Sequence, residues 1–82
     1  MINREQYERL ARHLLADGRD RIEMTFAEVA GVVGERLPAS AARHPAWWAA
    51  DPGHTQAVWL DAGYTARPDL TAARVVFERS TR

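Results

Sequence analysis

The chain has 82 residues, 46% hydrophobic and 27% charged, with eleven basic side chains balancing eleven acidic ones. A chain this short buries roughly 60–65% of its unfolded surface, and the composition is that of an ordinary globular domain rather than a disordered one. With no cysteine, a disulfide framework, a thiolate metal site and a cysteine nucleophile are excluded; zero net charge argues against a strong non-specific polyanion binder.

Asn3, with Gln6 three residues on, has the form of a capping box. Tyr7, Leu10, Ala11, Leu14 and Leu15 then recur at helical spacing, with Glu5, Glu8, Arg9 and Arg12 mostly on the other face. Asp17-Gly18 ends this helix. His13 borders the apolar stripe and reads as a boundary residue.

Residues 21–26 alternate polar and apolar, the pattern of a short half-buried strand that must pair with something later in the chain. Thr25 and Glu28 form a second capping box and open a helix that carries Phe26, Val29, Ala30 and Val33 inward and stops at Gly34. Gly31 inside it predicts close packing against another element.

Ser40 is the expected cap of the next helix, which runs through Ala41, Ala42, Trp47 and Trp48. Pro45 leaves two readings open: one kinked helix, or two short pieces with His44 capping the second. After the turn cluster Asp51-Pro52-Gly53, residues 54–62 read as helix, with Val58, Trp59 and Ala62 inward and Gly63 closing it. Residues 64–70 read as a strand that Pro68 confines to an edge or a chain end, and residues 74–79 as its hairpin partner, with Val75 and Phe77 on one face.

A strand between the first two helices and a hairpin at the end is the order of a winged helix-turn-helix. The expectation is therefore one small α+β domain over residues 1–82 of winged helix-turn-helix type, with the early strand joining the hairpin in a three-stranded sheet. The segment around Trp47 and Trp48 is one helix more than the ordinary pattern contains.

The motifs Met24-Thr25-Phe26-x-Glu28-Val29, Gly34-x-x-Leu37-Pro38-x-Ser40-Ala41, Trp47-Trp48, Gln56-x-x-Trp59-Leu60-x-Ala62-Gly63-Tyr64 and Val75-Val76-Phe77-x-Arg79 span nearly the whole chain. In these the chain resembles a family of small bacterial domains of unknown function, found alone or attached to other modules. The family often carries asparagine shortly after the tryptophan pair, where Ala49-Ala50-Asp51 stands here. The resemblance implies a genuine domain and brings no activity with it.

No catalytic or metal motif emerges. His13, His44 and His54 lack ligand spacing. Ser40 and His44 are four apart but have no glycine-rich elbow, and Ser40 is better explained as a cap. The acids read as solvated helix faces and caps. The reading is a non-enzyme with no cofactor and no metal. No apolar run approaches the ~20 residues of a membrane span, and the polar start lacks a signal peptide's apolar stretch, so a cytoplasmic location with no membrane partner is expected.

Binding is the remaining class. All eleven basic residues are arginine, and the chain after residue 35 is mildly basic, with six arginines facing Asp51, Asp61, Asp69 and Glu78. The helix before a hairpin occupies the place of a recognition helix. His54, Thr55 and Gln56 at its start are candidate groove contacts, with Arg43 and His44 on the preceding segment and Arg67 and Arg74 flanking the hairpin as phosphate contacts. The expected partner is double-stranded DNA, bound alone or as a homodimer, by a small transcription regulator or an accessory domain. The alternative is a protein-interaction module using Trp47 or Trp48: neighbours on a helix diverge by about 100°, so one should be buried and the other at least partly exposed.

Overall fold

In the computed structural model, residues 2–49 and 56–80 are described. The elements run α1 (Arg4–Asp17), β1 (Arg21–Thr25), α2 (Phe26–Val33), α3 (Ala39–Arg43), a 3-10 turn (Pro45–Trp48), α4 (Val58–Asp61), β2 (Tyr64–Asp69) and β3 (Arg74–Arg79). The architecture is α+β, helices against an antiparallel three-stranded sheet of order β1-β3-β2.

Local chemistry sets the first half. The Asn3 carboxamide accepts from Gln6 N–H at 2.8 Å while Asn3 N–H donates to Gln6 Oε1 at 3.1 Å. Thr25 and Glu28 repeat the exchange at 3.0 and 2.8 Å. Both boxes satisfy backbone donors that a helix start otherwise leaves unpaired. Gly18 and Gly34 close α1 and α2 in the left-handed conformation, each cap N–H donating to the carbonyl four residues back.

The strands alternate as expected: Ile22, Met24, Val75 and Phe77 are buried, while Arg21, Glu23 and Arg74 face solvent. Pro68 lies on β2, which is an edge. β1 pairs with β3 through Arg21↔Glu78 to Thr25↔Arg74, and β2 with β3 through Tyr64↔Arg79 to Asp69↔Arg74.

The core is aromatic. Trp48, Trp59, Tyr64 and Phe77 are fully enclosed together with Leu10, Leu14, Val29 and Val33. Trp48 stacks on Trp59 at 5.6 Å between ring centroids, with Phe26 on its other side at 5.1 Å. Each tryptophan removes on the order of 200 Å² from water, which at ~25 cal/mol/Å² is about 5 kcal/mol of transfer free energy.

Four expectations need correction. Ser40 does not cap: α3 starts at Ala39, Pro38 is its N-cap, and no side chain bonds there. Gly31 is not held in a close approach, because a Cβ there would meet nothing within 4 Å. Of the helix expected over residues 54–62, the described part is only Val58–Asp61; the Asp51–Gly53 turn, His54 and Thr55 lie outside the described residues. Leu70 belongs to the turn after β2 rather than to the strand. Pro45 resolves into the two-piece alternative, standing first in a 3-10 turn that follows α3.

Candidate nucleic-acid interface

The stretch 36–50 carries Arg36, Arg43 and His44 and no acid. Its described part, residues 36–49, forms the connector after α2, the helix α3 and the 3-10 turn. Ala41 is buried and anchors α3, whereas Ala39, Ser40, Ala42, Arg43 and His44 are all exposed. The outer surface of this short helix is therefore small-residued and basic. Arg36 is exposed at the connector, and neither Arg36 nor Arg43 makes a hydrogen bond or ion pair among the described residues.

The other expected contacts are differently placed. Gln56 is half-buried, and its Nε2 donates to the Trp47 carbonyl at 3.1 Å. Helix α4 turns Val58 and Trp59 into the core and presents Asp61, which meets Arg4 at 3.3 Å. It offers no polar groove-facing surface of its own. Arg67 is paired with Glu78 at 3.1 Å and Arg74 with Glu23 at 3.7 Å, on the solvent side of the sheet. Such exposed pairs are worth about 0–1 kcal/mol, so a phosphate can displace them. Arg36, which the sequence reading did not single out as a contact, lines one groove with Gln56, whereas Arg43 and His44 stand at the end of α3 and Arg67 and Arg74 on the hairpin strands. The signal for Arg36 was the acid-free run itself.

The tryptophan pair divides as expected. Trp48 is enclosed, its Nε1 donating to the Ala41 carbonyl at 2.8 Å. Trp47 is half-buried between Tyr7 at 6.2 Å and Trp48 at 4.7 Å. Its outer edge lines a groove of about 430 Å³ with Tyr7, Arg36, Pro38 and Gln56. A second, more apolar groove of about 350 Å³ runs over Phe26, Ala30, Leu37 and Ala41. Burial, and then the Glu35 carboxylate, raise the Tyr7 phenol above its ordinary value. Among the described residues no three His, Cys, Asp or Glu side chains are arranged to hold a metal ion, and no helix is long and apolar enough to cross a membrane.

Residues 7–81 match the family model of a domain of unknown function, DUF7662. The chain belongs to that family. No curated protein and no solved structure gives a match. The DUF7662 match runs from α1 through β3, so the helices, the tryptophan core and the sheet all fall within the family's own domain.

Proposed function

We propose that this protein is a non-catalytic, cytoplasmic binder of double-stranded DNA, a winged helix-turn-helix in which α2 and α3 form the helix-turn-helix and the β2–β3 hairpin the wing. The element order and the sheet order β1-β3-β2 support this reading, which at the level of fold is an argument by analogy. The observation that carries it is the exposed outer surface of α3 and of the connector before it, with no acid from residue 36 to 49 and with Arg36 and Arg43 lacking a hydrogen-bond or ion-pair partner among the described residues.

The groove-facing helix in this proposal is α3 rather than the segment before the hairpin, because α4 is directed inward. Small side chains at Ala39, Ser40 and Ala42 allow close approach to a duplex, and the two arginines meet phosphates. Arg67 and Arg74 reach the backbone as a wing, exchanging their weak carboxylate partners for phosphate. The roles that suit such a surface are those of a small regulator or of an accessory domain.

The test is fluorescence anisotropy with a random-sequence duplex pool at low and moderate salt. The four phosphate contacts of this proposal predict roughly a hundredfold loss of affinity between about 50 and 200 mM salt. The double variant Arg36→Ala/Arg43→Ala, which removes no hydrogen bond or ion pair among the described residues, should lower both the affinity and the salt slope. Absence of binding at low salt, or binding indifferent to that variant, would refute the proposal. The second reading is a protein-interaction module, favoured by the outer edge of Trp47 and the groove beside it. A negative DNA result would bring it forward.

A further inference from the structure

The two edges of the sheet are not alike. On the β2 side, Ser80 N–H donates to the Gly63 carbonyl at 2.7 Å. Hydrogen-bonded pairs recur at every second residue of an antiparallel ladder, so Tyr64, Ala66 and Pro68 direct their backbones to the free edge. Pro68 has no N–H to offer, which blunts that edge.

On the β1 side, Arg79 N–H donates to the Asp20 carbonyl at 2.7 Å and Phe26 N–H to the Ala73 carbonyl at 2.8 Å. By the same alternation Ile22 and Met24 bond to β3, and Arg21, Glu23 and Thr25 turn their N–H and C=O groups outward. The Thr25 N–H is taken by Glu28 Oε1 at 2.8 Å. The outward groups of Arg21 and Glu23 meet no partner among the described residues. The strand borders an open groove of about 400 Å³ lined by His13, Asp17, Gly31 and Val32, so no described segment covers this edge.

We propose that the β1 edge is a homodimer interface, in which β1 pairs antiparallel with β1 of a second copy about a twofold axis at Ile22. Charge selects both the occupant and the register. Pairing through the outward groups allows Arg21 opposite Arg21, Glu23 opposite Glu23, or Arg21 opposite Glu23. The first two place like charges across from each other, which is destabilising. The third places Arg21 of each copy against Glu23 of the other and joins four outward N–H groups to four outward carbonyls. Arg21-Ile22-Glu23 is thus complementary to its own reverse. Both charged side chains are on the solvent face, where they can meet. The present partner of Glu23, Arg74 at 3.7 Å, is a loose one. The product is a continuous sheet of order β2-β3-β1-β1-β3-β2.

This inference is independent of the DNA reading, and its test contains no DNA. Sedimentation equilibrium across a concentration series should show a monomer–dimer equilibrium for the wild type. Glu23→Arg and Arg21→Glu should each weaken it at least about tenfold, since two favourable cross-strand pairs become two repulsive ones. Mixing the two variants in equal amounts should restore dimerisation, because a strand with arginine at both outward positions then faces a strand with glutamate at both. Glu23→Pro gives a second probe: it deletes an outward N–H without touching the bonds to β3, and it too should dissociate the dimer. Circular dichroism reports whether each variant is folded. A wild type that stays monomeric throughout, a dimer unmoved by Glu23→Arg, or a mixture that remains monomeric would overturn the proposal.

Discussion

Trp48 and Trp59 offer a matched comparison that isolates one hydrogen bond. Both indoles are enclosed, at 1% and 0% exposure. Trp48 Nε1 donates to the Ala41 carbonyl at 2.8 Å, whereas Trp59 Nε1 is buried with no acceptor among the described residues. The Ala41 carbonyl has a particular need. In a continued helix it would accept from the N–H of residue 45, and residue 45 is proline. The Trp48 indole supplies the donor that Pro45 lacks, and so fastens α3 to the 3-10 turn that follows it. Replacing either tryptophan by phenylalanine removes roughly 40 Å³, about 1 kcal/mol at ~24 cal/mol per Å³ of cavity, and this term cancels between the two variants. The polar term does not cancel. Trp48→Phe leaves a buried carbonyl unpaired, costing about 1–3 kcal/mol, while Trp59→Phe deletes an unpaired donor and recovers a similar amount. Trp48→Phe should therefore be the more destabilising by at least about 2 kcal/mol. Urea titration followed by far-ultraviolet circular dichroism resolves such a gap, which at ~1 kcal/mol/M separates the midpoints by about 2 M. Equal losses, or a larger loss for Trp59→Phe, would refute the assignment of this donor to this acceptor.

Ala73 holds φ of 53° in the β2–β3 turn, a left-handed conformation in a residue with a side chain. Ala73→Gly removes a strain of about 1–2 kcal/mol against an entropic cost of about 0.5–1 kcal/mol, so thermal unfolding should show a small stabilisation. The Arg19 guanidinium, bonded to Asp17 at 2.7 Å, holds that carboxyl down at about 2 against an ordinary 3.8. A lowered carboxylate pKa contributes stability that is complete above the unfolded value and is lost as pH falls through the folded one. Asp17→Asn should accordingly be less stable than the wild type at neutral pH and indistinguishable from it below about pH 2, and a carboxyl titration by NMR should place Asp17 near 2.

What the sequence disclosed depends on how far each interaction reaches along the chain. Both capping boxes close within three residues, and the glycine stops and the strand alternation are equally local, so α1, β1 and α2 were legible. The edge position of Pro68 was legible because a missing N–H admits few alternatives. Ser40 misled because its residue type suits a cap, yet Pro38 already fixes the turn and the helix begins one residue earlier than Ser40. The segment before the hairpin misled for a different reason. Ala57, Val58 and Trp59 are consecutive and all buried, whereas one helix face cannot bury three neighbours set about 100° apart. A turn with Val58 N–H donating to the Gln56 carbonyl at 2.8 Å delivers the chain into the core instead. The clasp at the far end of the sheet was invisible in sequence. There Tyr64 Oη donates to the Arg19 carbonyl at 2.6 Å, and Arg79 bridges Asp20 and the Gly18 carbonyl at 2.8 and 2.7 Å. Its members lie 45 to 61 residues apart.

Gln56 is where the sequence reading and the structure make opposing forecasts. By position it is a groove contact, able to bond adenine through its carboxamide. In the fold its Nε2 is already directed to the Trp47 carbonyl at 3.1 Å in a part-buried setting. That carbonyl lies in the last turn of a 3-10 segment, where carbonyls lack partners within the helix. Gln56→Ala would leave it unpaired, at about 1 kcal/mol of stability, and would loosen the half-buried Trp47. The expected result is a lower urea midpoint with duplex affinity unchanged. Arg36→Ala/Arg43→Ala should do the reverse, holding stability and losing affinity. If Gln56→Ala instead weakened DNA binding about tenfold, equal to 1.4 kcal/mol, without moving the midpoint, the segment before the hairpin and not α3 would be the element that faces the duplex.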